Sequence, residues 1–204
     1  GYALRPEVEG GLVRRAPLCS VRSIARYLAR CPGLAGVKPA RRALPLLAEG
    51  ALSPPEAKAA LLAGLPTSLG GYGRGIPLLN CDCEGRSRLE ELVGADGRSC
   101  RLGAYVCDLL WPEARLALEY DSDLCHADAD RLNSDAARRT ALLALGITVV
   151  TATHDQIYQP CQFRQLETTL RRQLGVRRQI RCRDFEQRQR ELRRHVLGVG
   201  LGQD

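Results

Sequence analysis

The stretch CDLLWPEARLALEYD, residues 107–121, reads as two apolar strands joined by a turn at Pro112-Glu113-Ala114. Its register can be counted. If Glu113 and Ala114 form a two-residue loop, Pro112 faces Arg115, Leu110 faces Ala117 and Asp108 faces Glu119. Side chains alternate along a strand, so Asp121 shares a face with Glu119. Leu109, Leu116, Leu118 and Tyr120 take the other face and look like core. Opposed side chains in a sheet stand about 4.5–5.5 Å apart, where like charges repel. A divalent cation would relieve that repulsion. Oxygen ligands favour Mg²⁺ or Mn²⁺ over zinc. A solvated acidic face is the alternative, but these acids sit inside strongly apolar strands rather than polar ones.

Outward from the hairpin, the apolar period changes from two to about 3.6 over residues 127–145, a helix that ends at Gly146. His126 opens it, either as a general base or phosphate contact or as a surface histidine. Asp135 and Arg138 lie near one face of that helix. Arg138 either clamps a phosphate or pairs with Asp135. ITVVT (147–151) is a β-branched strand. Upstream, residues 76–83 read as a strand and residues 84–99 as a long hairpin connection. Helices are expected over 20–30, 39–48 and from Ser53-Pro54-Pro55-Glu56 onward, after a loose lead-in at 1–19. Two more follow at 162–174 and 183–197. The order helix, strand, strand, strand, helix, strand, helix predicts a mixed sheet covered by helices.

The chain has 204 residues with a net charge of +7, and lysine occurs only at Lys38 and Lys58. A basic surplus fits a polyanionic partner. No apolar run approaches the roughly 18–20 residues of a membrane span, and no secretory leader opens the chain. Both points direct the expectation to the cytoplasm. The sequence starts at Gly1 and contains no Met, so we expect a piece of a longer chain. Nine cysteines are irregularly spaced. Cys81, Cys83 and Cys100 are the only arguable zinc set, against the simpler reading of small buried hydrophobes.

The run from Cys107 to Thr153 resembles the very-short-patch-repair (Vsr-like) branch of the PD-(D/E)xK nucleases. The shared pattern is Asp108, a hairpin, Glu119-Tyr120-Asp121, His126, Asp135 to Arg138 on a helix, and a strand after Gly146. It covers roughly residues 53–160. The resemblance implies a restriction-endonuclease-like three-layer sandwich with an N-terminal helical extension. It nominates Glu56, on SPPEAKAALLAGLP, as a supporting acid. Residues 1–52 resemble connecting helices of AbiEi-like antitoxin-related proteins, which implies a winged-helix DNA-binding domain before Gly1. Two positions depart from the family. Asp121 stands where lysine is usual, and Ser122 where glycine is usual.

The expected division is therefore a helical extension at 1–52, an endonuclease-like domain at 53–175 and a basic helical tail at 176–204. Residues 171–194 hold ten arginines. Arg171, Arg172, Arg177 and Arg178 join Arg138 as candidate DNA contacts, against a solvated helix face as the plainer reading. The expected activity is Mg²⁺-dependent (or Mn²⁺-dependent) DNA hydrolysis. Asp108, Glu119 and Asp121 would hold the metal, with His126 and Glu56 assisting. The alternative is a nuclease-fold DNA-binding or regulatory module of a defence protein, without cleavage.

Overall fold

The computed structural model describes residues 2–4, 12–14, 17–82, 106–121, 129–177, 180 and 182–198, with backbone alone at 2–4, 12–14 and 129–135. The strands are β1 (Tyr2–Leu4), β2 (Leu12–Arg14), β3 (Leu78–Asp82), β4 (Val106–Trp111), β5 (Leu116–Asp121) and β6 (Thr148–Thr153). The helices are α1 (Val21–Arg30), α2 (Val37–Ala43), α3 (Pro54–Gly64), α4 (Ala129–Ala144), α5 (His154–Tyr158), α6 (Pro160–Gln173) and α7 (Phe185–Leu197).

Four strands form one sheet in the order β3-β4-β5-β6. The first three are antiparallel, and β6 runs parallel to β5. A parallel neighbour needs a crossover, and α4 provides it. The β4–β5 register is the one counted from sequence, with Leu110 opposite Ala117 and Leu109 opposite Leu118. The turn differs from expectation. Pro112–Ala114 form one turn of 3₁₀ helix, and Arg115 closes it at φ 49°. The loop is thus four residues long rather than two, and the Arg115 N–H donates to the Pro112 carbonyl at 3.1 Å. Adding one residue on each side of the loop preserves the pairing.

Helices cover both faces of the sheet. On one, Leu109, Leu116 and Leu118 pack with Leu62 and Ala63 of α3, Phe163, Leu166 and Leu170 of α6, and Phe185 and Leu197 of α7. On the other, Leu110 and Ala117 pack with Leu142 of α4 and with Ile147. Both faces of the central strands are apolar because both are covered. The expected boundary at 175/176 does not divide the packing, since α7 fills the same core as α3. Its Arg193 is buried and donates to the Ile157 and Tyr158 carbonyls at 3.0 and 2.8 Å. Gly70 lets the chain after α3 approach α7. It has φ 87°, and a Cβ there would stand 2.2 Å from the Arg188 carbonyl oxygen.

Several boundaries moved. The lead-in contains the β1–β2 pair, with Tyr2 opposite Arg14. The helix expected over 39–48 runs from Val37 to Ala43 and tightens to 3₁₀ at Leu44–Leu46. Pro45 has no N–H to continue the α-helical ladder. The last strand extends to Thr153, whose side chain then caps α5 by accepting from the Gln156 N–H.

Candidate acid site at the β4–β5 hairpin

Asp108 lies near the start of β4 and Glu119 near the end of β5. The ladder brings both to the same end of the sheet, next to Glu56 in the first turn of α3. Proline at the first two helical positions of α3 and Ser53 at its N-cap fix where that turn begins. Glu56 is buried. Its carboxylate accepts from the Leu52 N–H at 2.9 Å, the Ser53 hydroxyl at 2.7 Å and the Asn80 side-chain amide at 2.6 Å. Asn80 reaches it from β3 with φ 49°, a left-handed conformation that asparagine tolerates better than most residues. The β3–β4 register places Asn80 across from Asp108, between the pairs Leu79–Leu109 and Cys81–Cys107.

The Asp108 Oδ2 accepts from the Tyr120 backbone N–H at 2.9 Å. This carboxylate thus fixes itself to the partner strand. Burial pushes its pKa up, and the Glu56 charge adds to that, against the Tyr120 hydrogen bond and Arg138. Glu119 is raised further, from 4.5 to about 7, first by burial and then by the charge of Asp108. Arg138 of α4 opposes this. Its guanidinium donates to Glu119 Oε2 at 2.8 Å and also to the Val106 carbonyl. The other carboxylate oxygen, Oε1, is buried, and no described residue meets it with hydrogen-bonding geometry. Two carboxyls and an arginine thus converge where α3, α4 and the sheet meet.

The sequence nominations divide against this geometry. Asp108, Glu119 and Glu56 come together. Arg138 joins them, paired with Glu119 rather than placed as an unengaged clamp; the side chain of Asp135 is not described. Asp121 ends β5 opposite Thr153. Its charge acts on Tyr120. Among the described residues, no group of three or more His, Cys, Asp or Glu side chains is arranged to hold a metal ion. His126, Cys83, Cys100 and Arg178 lie outside the described residues. Arg171 and Arg172 close α6, with Arg171 half-buried, and Arg177 is exposed beyond it.

Sequence reasoning missed the neighbours on the opposite face. Lys58, two residues after Glu56, donates to the Tyr158 hydroxyl at 2.9 Å. Its ammonium lies 4.9 Å from that ring's centroid. His154 stacks on Tyr158 at 4.2 Å. The rarity of lysine in this chain was the one available signal. Asn80 gave none, because a lone asparagine in a strand has no periodic signature.

Comparison of the chain with protein-family models, curated proteins and solved structures finds no match. Fold and site define an α/β protein: a mixed four-stranded sheet flanked by helices, with a half-buried acid pair at one end. No helix among the described residues is long and apolar enough to cross a membrane.

Proposed function

We propose that this chain is a divalent-cation-dependent DNA endonuclease domain of the Vsr-like PD-(D/E)xK type, with Asp108 and Glu119 as its acid pair and Glu56 in support. The observation that carries the reading is the pairing of Asp108 with Glu119. Folding gains nothing by half-burying two carboxyls close enough to feel one another's charge, since each is costly to desolvate and they repel. Perturbed acids with named charge partners are what functional sites assemble. The donors also suit the implied metal. They are all oxygen, as Mg²⁺ or Mn²⁺ prefers, and the buried Glu119 Oε1 has a lone pair that no described residue claims. A bound cation would supply Lewis acidity toward a phosphate oxygen and a lower pKa for water. The chain's own residues orient that chemistry. The Tyr120 N–H aims Asp108, Asn80 holds Glu56, and the Arg138 guanidinium keeps Glu119 in place with further donors for a phosphate. His126 as base and Asp121 as orienter belong to the same proposal. The test is nicking of supercoiled plasmid with Mg²⁺ or Mn²⁺ by the wild type and by Asp108→Ala. Nicking by the wild type alone is expected; equal nicking by both, or none by either, rejects cleavage.

One observation favours a second reading, a DNA-binding or regulatory module without catalysis. Arg138 already neutralises Glu119 at 2.8 Å, which is the service a metal would perform. Salt-sensitive DNA binding that survives Asp108→Ala, with no cleavage in any metal, would select this reading.

A further inference from the structure

We propose that α1 is a contact surface for the phosphate backbone of duplex DNA, formed by Arg22, Arg26 and Arg30. These residues recur at every fourth position of the helix, and all three are exposed. Like charges at that spacing repel and weaken a helix. Arg30, in the last turn, is favoured by the helix dipole, but charge pairing brings no relief. Among the described residues no acidic side chain pairs with any of the three, and no Asp or Glu occurs anywhere between Glu9 and Glu49. Glu49 itself is engaged at the head of α1, where its carboxylate accepts from the Val21 N–H. The helix stands by other means: a capping box between Ser20 and Ser23, and the buried Leu28. The neighbouring α2 adds exposed Lys38 and Arg42. Arg41 joins the two helices by donating to the Leu28 carbonyl at 2.8 Å.

The arginines near the C-terminus are placed differently. Arg193 is buried, Arg188 lies 3.8 Å from Asp184, and Gln187 bonds Glu191 on the same helix. Charge there is mixed, whereas α1 and α2 are uniformly basic.

Spacing selects the partner. One helical step of four residues rises roughly 6 Å, so the three guanidiniums span roughly 12 Å. One strand of B-DNA presents a phosphate about every 3.4 Å of axis, so the stripe covers roughly three or four of them. Arginine grips phosphate through two parallel N–H donors. A membrane surface fits less well. Tyr27 and Leu34 are exposed, at 57% and 55%, but Leu28 is buried and Val21 and Ile24 half-buried, so α1 offers a single large exposed aromatic side chain rather than a continuous apolar face to insert.

This inference shares with the proposed function only the class of partner, and does not need cleavage. The test is binding of a labelled duplex across a salt series by R22Q/R26Q/R30Q, with R164Q/R190Q/R194Q, three exposed arginines of α6 and α7, as the control surface. Each lost phosphate contact removes about 0.9 from the log–log salt slope, so the α1 variant should lose about 2–3 and the control less than 1. R22K/R26K/R30K, which keeps the charge, should retain the slope, and circular dichroism should show all variants folded. An unchanged slope in the α1 variant overturns the proposal. So does a larger loss in the control surface, an absence of duplex binding by the wild type, or binding to phosphatidylserine vesicles without binding to DNA.

Discussion

Among the described residues two Arg–Glu pairs hold elements together, one buried and one half-buried, and they are built on different terms. Arg74 and Glu167 are each 5% exposed at the side chain. The guanidinium gives two donors, Nε and Nη2, to Glu167 Oε1, in the layer that also holds Tyr72 and Phe163. Arg138 and Glu119 are 31% and 13% exposed. Among the described residues, one buried oxygen of their carboxylate has no hydrogen-bond partner, and a second acid, Asp108, raises its pKa. The first pair is tied within itself and stabilises the packing around it. The second is crowded by a like charge. A protein holds a buried charge cheaply when every partner is local, and tolerates the second arrangement where something else is to bind.

The largest effect should come from breaking the closed pair. Arg74→Ala leaves Glu167 buried and alone, and should cost about 3–5 kcal/mol in a urea titration at pH 7. A cost under about 1 kcal/mol would erase the distinction between the pairs.

The second effect is a pH dependence. The folded pKa of Glu119 is raised from 4.5 to about 7. A raised carboxyl favours the fold while protonated, so its contribution is complete below pH 4.5 and is lost as pH rises through about 7. Taking roughly 1.4 kcal/mol per pKa unit, the whole loss is on the order of 3 kcal/mol. Glu119→Gln should therefore match the wild type near pH 4 and exceed it at pH 8, read from denaturation midpoints. The opposite order would mean that the ion pair with Arg138, not burial, governs Glu119.

Arg138→Ala should cost about 1–3 kcal/mol at pH 8. It should cost less at pH 5, because Glu119 can then accept a proton instead of losing its partner. A pH-independent cost equal to that of Arg74→Ala would remove the contrast. The smallest effect is expected from Asp108→Asn. Removing its charge should lower the Glu119 pKa and narrow the pH window, which is visible in the carboxyl chemical shift of Glu119 across a titration. An unmoved midpoint would mean that burial alone sets it.

Much of this site was legible beforehand. Alternation and the Pro112 turn gave the strand register, so Asp108 and Glu119 could be placed at one end of the sheet. Glu56 was legible because proline and an acid in the first turn mark a helix start. The ion pairs were not. Arg138 meets Glu119 only after α4 folds back over the sheet, and Arg74 meets Glu167 across 93 positions. Such contacts follow from packing between layers, on which local periodicity is silent. The four-residue turn was missed because Arg115 adopts φ 49°, which an arginine seldom does. The place of α7 was hidden by composition: its arginines suggested a solvated tail, while Phe185 and Leu197, twelve residues apart, carry its buried face.

The position of α7 also bears on the order in which the molecule is made. All four strands of the sheet have been synthesised once Thr153 is added. The layer containing Leu109, Leu116 and Leu118 still lacks Phe185 and Leu197, and the carbonyls of Ile157 and Tyr158 still await Arg193. A nascent chain therefore carries its acid pair long before the apolar layer behind that pair is closed. During that interval it exposes the kind of surface that chaperones recognise.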